Sequence, residues 1–450
     1  MVNSSQWRIW AIVQNLATLT ALTIAFPFNL SLVLGAWVGN WIRGNSADFL
    51  ETDRPKTILL TGGKMTKALQ LARSFHKVGH RVILAETHKY WLTGHRFSNA
   101  VDRFYTIPAP QKDPDGYIQA LLAIVKQEQV DVYVPVCSPV QSYYDSLAKS
   151  VLSGACEVFH FDPKVTQMLD DKFAFSEAAR AIGLSVPKSF LITDPQQVLD
   201  FDFSSETRPY ILKSIPYDSV RRLDLTKLPC STQAETEMFV SSLPISQETP
   251  WIMQEFIRGQ EYCTHSTVRK GELRLHCCCK SSAFQVNYEQ VDKPEILQWV
   301  SRFVQAENLS GQASFDFIQA DDGEVYAIEC NPRTHSAITM FYNHPDVADA
   351  YLTDKPLPAP LQPLPTSKPT YWIYHEVWRL NEVRSVQDLQ RWWQTIRQGK
   401  DAIFEPDDPL PFLMVHHWQI PLLLLDNLRR LAGWVRIDFN IGKLIELGGD

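Results

Sequence analysis

The stretch AIECNPRTHSAI, residues 327–338, sets a carboxylate, an amide and a guanidinium two positions apart: Glu329, Asn331 and Arg333. Alternate side chains of an extended strand share one face. An extended segment would therefore aim all three at one place. Just upstream, GQASFDFI carries Asp316, and the turn Asp321–Gly323 joins the two apolar segments. A hairpin of that size sets Asp316 beside Glu329. Two carboxylates that close repel unless a cation sits between them. A hard cation such as Mg²⁺, or Mn²⁺ in its place, takes carboxylate and amide oxygens together with phosphate oxygens. Arg333 at the edge suits a phosphate or a developing oxyanion. The bland alternative is a surface hairpin with solvated acids.

Two lysines lie further upstream. Lys213 sits inside the apolar strand YILKSI, where an ammonium is either at an edge or has an anion to meet. Lys172 follows two aspartates on a helix and by itself reads as a solvated charge. QEFIRGQEY ends an apolar strand with Glu255 and Glu261. A strand running into a loop in this way offers backbone groups to a base edge and a carboxylate to ribose hydroxyls.

These residues need elements to hold them. After residue 55, KTILLTGG, RVILAET and VDVYVPVC read as buried strands. KALQLARSFHKVGH and YIQALLAIVKQEQ read as helices between them. Strands alternating with helices imply a parallel α/β sheet with right-handed crossovers. The turn at Gly62–Gly63 can hold an anion. It lacks the third glycine of a dinucleotide fingerprint and the Gly-Lys-Ser/Thr of a P-loop, so it reads as a structural turn or part of a substrate pocket. From Asp162 a helix runs to about Gly183, with an acidic cap, a first-turn proline and a closing glycine. Beyond it the pattern is α+β, with antiparallel hairpins turning near Lys270–Gly271 and at Asp321–Gly323. Residues 355–370 are proline-rich and read as an extended linker. The tail, 371–450, is rich in Trp and Leu and carries no readable motif.

Residues 9–42 hold no charged side chain. Pro27, Phe28 and Asn29 interrupt the run and predict two shorter helical halves within residues 1–50. Two readings stand: a helical hairpin packed on the protein or on a second subunit, or association with or insertion into a membrane. Arg8 and Arg43 flank the run symmetrically and give no orientation. Elsewhere the balance is ordinary for a globular chain of 450 residues, 45% hydrophobic and 21% charged with a net charge of −7. No long basic run is present, so nucleic acid is not a favoured partner. The chain has 8 cysteines without a CxxC pair. HCCCKSS reads as small apolar side chains in a buried strand rather than a metal site, and free thiols in this number fit a reducing cytoplasm.

The order of Lys172, Lys213, the acids at a strand end, Asp316 and then ECNPR resembles the ATP-grasp superfamily, over residues 162 to 343. The resemblance implies a Rossmann-like domain at 51–160 and an ATP-grasp domain at 161–354, with a lid subdomain at about 205–260. It implies that Lys172 and Lys213 contact ATP phosphates and that Gln254 belongs to the ATP site. Glu255 and the Ile257 backbone would face adenine, and Glu261 the ribose. Asp316, Glu329 and Asn331 would hold Mg²⁺, and Arg333 would stabilise the transferred phosphoryl group, with Lys213 assisting. His335 and Ser336 are candidates for the acceptor or for a strand-end structural role. One departure is the segment SIPYDSVRRLD, which has no glycine-rich loop and offers Ser214, Ser219, Arg221 and Arg222 instead. The whole chain, with LTGGKMTKALQLAR and YWIYHEVWRL, is similar to the ligases of mycosporine-like amino acid biosynthesis. That implies small-molecule substrates, glycine and a cyclohexenone acceptor, joined with ATP hydrolysis. An ordinary carboxylate–amine ligase working through an acyl phosphate needs the same ATP residues.

Overall fold

The computed structural model describes residues 4–44, 52–136, 138–215, 221, 224–281 and 287–446. Cys137, Ser219 and Arg222 lie outside them. The chain forms two units, one of Met1–His160, Val286–Gln290 and Arg333–Asp450, the other of Phe161–Gln285 and Val291–Pro332.

In the first unit the apolar N-terminal run is one unbroken helix, α1 (Ser4–Arg43), with Pro27 inside it. The two halves predicted around Pro27 are therefore joined. A proline inside a helix costs about 3 kcal/mol. Anchors on both sides offset it. Asn15 Nδ2 donates to Ala432 O at 3.0 Å, Asn29 Nδ2 to Tyr374 Oη at 2.6 Å, and Asn40 Nδ2 to Pro406 O at 2.7 Å.

There follow β1 (Thr57–Leu60), α2 (Thr66–His76), β2 (Arg81–Thr87), β3 (Arg103–Ile107), α3 (Pro114–Glu128), β4 (Val132–Val134), α4 (Pro139–Leu152) and β5 (Glu157–Val158). The strands form one sheet in the order β3-β2-β1-β4-β5, with every pairing parallel. The order turns back at β1, as in doubly wound folds. Strands buried on both faces explain the near-continuous apolar runs TILL and RVILAET.

The second unit opens with α5 (Pro163–Asp170) and α6 (Lys172–Ala181), two helices where the sequence suggests one. Asp171 makes the break: its carboxylate accepts from the amides of Phe173 at 2.8 Å and Ala174 at 3.0 Å, capping a new helix. A small antiparallel sheet comes next, from β6 (Ser189–Ile192), β7 (Tyr210–Ser214) and β8 (Trp251–Glu255) in the order β6-β8-β7. Its inner face, with Tyr210, Leu212, Trp251 and Met253, shares a core with Val198 of α7 (Pro195–Leu199) and Val240 of α8 (Gln233–Ser241).

A larger antiparallel sheet is built from β9 (Gly259–Arg269), β10 (Glu272–Lys280), β11 (Gly311–Ala320) and β12 (Val325–Asn331), in the order β10-β9-β11-β12. Lys270 and Gly271 both have positive φ, 52° and 74°, and make the tight turn between β9 and β10. One face carries Tyr262, Val268, Cys278, Ala313, Phe315, Phe317, Ala327 and Cys330 into a core with α9 (Pro294–Ala306) and Phe175 of α6. Cys277, Cys278 and Cys279 are all buried.

The C-terminal extension packs within the first unit, and its seam is polar. Buried Arg73 of α2 donates to Asp408 Oδ2, Asp408 O and Ile403 O, each at 2.9 Å. Trp372 Nε1 donates to Thr66 Oγ1 at 3.0 Å. The carboxamide oxygen of Gln419 accepts from the Gly94 amide at 2.7 Å. Three further helices, α10 (Ile373–Arg379), α11 (Val386–Gln398) and α12 (Ile420–Arg430), belong to this extension.

Candidate active site

The sheet face opposite the core of the second unit is polar, and register explains how. Asp316 of β11 pairs with Glu329 of β12, and Ser314 pairs with Asn331. The register slips between Asp316 and Phe317, whose partners are Glu329 and Ala327. That bulge adds one residue to β12. It lets Ala327 and Cys330, three apart, both enter the core, and it turns Glu329 and Asn331 to the other side. Without it Glu329 would share the face of Ala327.

The carboxylates of Asp316 and Glu329 lie within hydrogen-bonding reach of each other. Asn331 Nδ2 sits between them, 3.4 Å from Asp316 Oδ2 and 3.3 Å from Glu329 Oε1. Two ammonium groups face the same point. Lys172 Nζ, brought there by the break at Asp171, is 3.9 Å from Glu329 Oε2. Lys213, on the face of β7 away from its core, donates to Gln254 Oε1 at 3.2 Å. Burial raises the Glu329 pKa, but Lys172, Lys213 and the hydrogen bonds with Asp316 and Asn331 outweigh it and hold the carboxyl below its usual range. Burial lowers the Lys213 pKa, with Glu329, Glu261 and Asp316 opposing and Lys172 assisting.

The structure thus gathers Lys172, Lys213, Gln254, Glu261, Asp316, Glu329 and Asn331. The Glu255 carboxylate accepts from the Lys188 amide at 3.4 Å and pairs with Arg208 at 3.5 Å, and its backbone amide donates to Lys188 O at 2.8 Å. Ile257 is buried in the loop after β8. Strand β12 ends at Asn331, so the alternation that would align Arg333 with Glu329 and Asn331 stops at Pro332. Arg333, His335 and Ser336 belong to the first unit. There His335 caps the short helix Ser336–Phe341 by accepting from the Ala337 amide at 3.3 Å, and its ring meets Tyr288 edge-on at 5.3 Å. Ser214 is the last residue of β7.

Sequence reading missed the continuation of the polar face. Cys263 of β9 lies opposite both Asp316 and Cys279, and His265 lies opposite Cys277. His265 and Ser314 are buried. The Ser314 hydroxyl has no hydrogen-bond partner among the described residues. Period-two counting back from Asp316 and forward from Glu261 would have found them.

Does this donor set fit a divalent cation? Among the described residues no group of three His, Cys, Asp or Glu side chains is arranged around a metal. The set here is two carboxylates and an amide, all hard oxygen donors once the Asn331 carboxamide turns its oxygen inward. Carboxylates already within hydrogen-bonding reach fit a cation between them. Two carboxylates, two lysines and an amide on adjoining sheets also match what a triphosphate–metal complex requires.

Residues 169–337 match the ATP-grasp domain family. Over this segment the chain has the ATP-grasp fold. Its solved neighbours share the fold. N5-carboxyaminoimidazole synthetase from Staphylococcus aureus, complexed with ADP, is 15% identical, spans 71% of this chain and 82% of its own, and superposes with a TM-score of 0.53. Biotin carboxylase from Campylobacter jejuni, in a β-γ-ATP complex, is 13% identical over 67% of this chain and 72% of its own, with a TM-score of 0.50. No curated protein matches the chain. The match begins at the end of α5 and ends in the short helix after β12, so it takes in both sheets of the second unit and every residue gathered above.

Proposed function

We propose that the chain is a cytoplasmic ATP-dependent, ADP-forming C–N ligase. The observation that carries this is the meeting of Asp316, Glu329 and Asn331 with Lys172 and Lys213 inside the ATP-grasp domain. In this reading Lys172 and Lys213 bind triphosphate oxygens, Gln254 orients Lys213, and Glu261 receives the ribose hydroxyls. The backbone at Glu255 and Ile257 meets the adenine edge. Asp316, Glu329 and Asn331 hold Mg²⁺, which neutralises the triphosphate and polarises the γ-phosphoryl group when bound.

The finer reading is that of a mycosporine-glycine synthetase, supported by the resemblance of the whole chain to that branch. The acceptor is then 4-deoxygadusol, an enolised 1,3-dicarbonyl and so a vinylogous carboxylic acid. Its enolate oxygen attacks the γ-phosphorus and the bond to ADP breaks. The glycine amine adds to the activated carbon, inorganic phosphate leaves with the former enol oxygen, and loss of the amine proton gives the enaminone. The lysines hold the phosphates in line for attack, and the small sheet that carries Lys213 and Gln254 shields the phosphorylated intermediate from water. In this reading Ser314 and His265, next along the polar face, would receive the acceptor.

Measuring ADP release with glycine and the cyclohexenone, each alone and together, tests both levels. Release that needs both supports the synthetase. Release with a simple carboxylic acid and an amine, but not with the cyclohexenone, replaces it with a carboxylate–amine ligase. No ADP under any pairing overturns the ligase reading.

A further inference from the structure

By length and composition the segment Arg8–Arg43 of α1 is long and apolar enough to cross a membrane. Its docking in the first unit says otherwise. Ala11, Asn15, Leu22, Val33 and Asn40 are its buried positions, and they fall on one stripe at helical spacing. Polar contacts run along that stripe: Gln14 Nε2 to Trp434 O at 2.9 Å, Asn15 to Ala432 O, Asn29 to Tyr374 and Asn40 to Pro406 O. From Gln14 to Asn40 is roughly 39 Å of helix, at about 1.5 Å per residue, more than the ~30 Å hydrocarbon core of a bilayer. A crossing helix would carry the loop backbone at 406, 432 and 434 into hydrocarbon, where non-helical carbonyls are not tolerated against lipid.

The rest of the helix faces outward and is apolar. Phe28 is 73% exposed, Ile24 64% and Trp41 83%, with Ile9, Trp10 and Trp37 also exposed. On a wheel of 100° per residue the exposed large apolar side chains of α1 fan over about 240°. A partner helix covers one seam, about 100° of that arc. An apolar solvent covers all of it. Trp10 beside Arg8, and Trp41 beside Arg43, put an indole and a guanidinium at each end, the pair that suits headgroup depth. The helix has no acidic residue. The apolar surface continues on α12, which packs on α1 and exposes Leu425, with Leu431 exposed just beyond it.

We infer that α1 lies in the plane of a membrane surface, its amide stripe on the protein and its apolar arc in the headgroup–acyl boundary. The ligase reading is not needed for this. Full-length protein is floated with vesicles of mixed zwitterionic and anionic phospholipid, beside a chain carrying Ile24→Glu and Phe28→Glu. Both positions are exposed, so the double variant keeps its fold. The wild type floats, and the double variant partitions at least ~100-fold more weakly, since each side chain loses the benefit of leaving water. Met238→Glu, an equally exposed site on α8, floats as the wild type does. A wild-type chain that stays at the bottom overturns the inference. If light scattering then finds a dimer that the double variant splits, the apolar arc belongs to a second copy. A double variant that floats like the wild type also overturns it.

Discussion

Two places in this molecule look fit to hold a nucleotide's phosphates, and only one is open to them. The first is the glycine turn between β1 and α2. Gly62 has φ of +71°, and a Cβ there would fall 1.6 Å from Val136 O, so only glycine fits. Its neighbours' amides are already satisfied. Gly63 N–H donates to Ala85 O at 3.1 Å, and Lys64 N–H to Glu86 Oε2 at 3.0 Å. The buried Glu86 carboxylate also takes the Lys64 ammonium at 3.5 Å and the Thr87 amide at 2.7 Å. The protein supplies its own anion. The second place is the polar face of β11 and β12, where two carboxylates crowd together and two lysines approach them. There the side chains of Lys172 and Glu329 stay 21% and 32% exposed, so a ligand can reach them. The comparison teaches that a glycine turn on a parallel sheet marks a fold, whereas gathered like charges mark a site.

Substitutions at the two places should therefore fail in opposite ways. Glu329→Ala is expected to lower turnover at least ~1,000-fold, by removing a cation ligand and the counter-charge of both lysines, with a small change in melting temperature. A variant that turns over normally at modest Mg²⁺ would remove Glu329 from the site. Glu86→Ala should do the reverse. It strands the Lys64 ammonium and two amides in a buried turn and should cost about 2–4 kcal/mol of stability, read in urea unfolding, while the folded fraction keeps its turnover. Equal loss of activity in both would erase the distinction.

Lys213→Ala is the intermediate case, with ATP affinity expected to fall about 10–100-fold in a calorimetric titration. Its pH dependence sharpens the point. Burial lowers the Lys213 pKa, so the ammonium exists below that lowered value and is lost above it. ATP binding should fade on the alkaline side sooner than an ordinary lysine allows. Glu329→Gln removes the group that most raises the Lys213 pKa and should move that loss to lower pH. On the acid side the lowered Glu329 pKa keeps its carboxylate ionised as pH falls to 5. A binding curve that falls through about pH 4.3, the ordinary glutamate value, would mean this carboxylate titrates normally.

How much of this was legible in the residues follows from the range of the forces. The juxtaposition of Asp316 and Glu329 could be read because a short turn fixes register locally. The bulge at Asp316/Phe317 could not, because it answers to the packing of Ala327 and Cys330 against α9. For the same reason simple alternation aligns Arg333 with Glu329, whereas the strand ends at Asn331, before Pro332. The turn of the Glu255 carboxylate toward Arg208 depends on a residue 47 positions away. The continuity of α1 through Pro27 depends on partners more than 340 positions distant. Composition showed that the helix was apolar, and only its docking showed which stripe was already covered.

The smallest effect tests how far the polar face extends. Ser314 pairs with Asn331, and its hydroxyl is buried without a partner among the described residues. If it awaits an acceptor oxygen, Ser314→Ala removes one hydrogen bond to a neutral group, worth about 0.5–1.5 kcal/mol. KM for the acceptor should rise roughly 2–10-fold with KM for ATP unchanged. The folded protein without substrate should be slightly more stable, because a buried hydroxyl without a bond has been removed. A hydroxyl serving only the fold gives the opposite pair of results: unchanged KM and lower stability. Because the two readouts move in opposite directions, one variant decides whether the face beyond Asn331 belongs to the site.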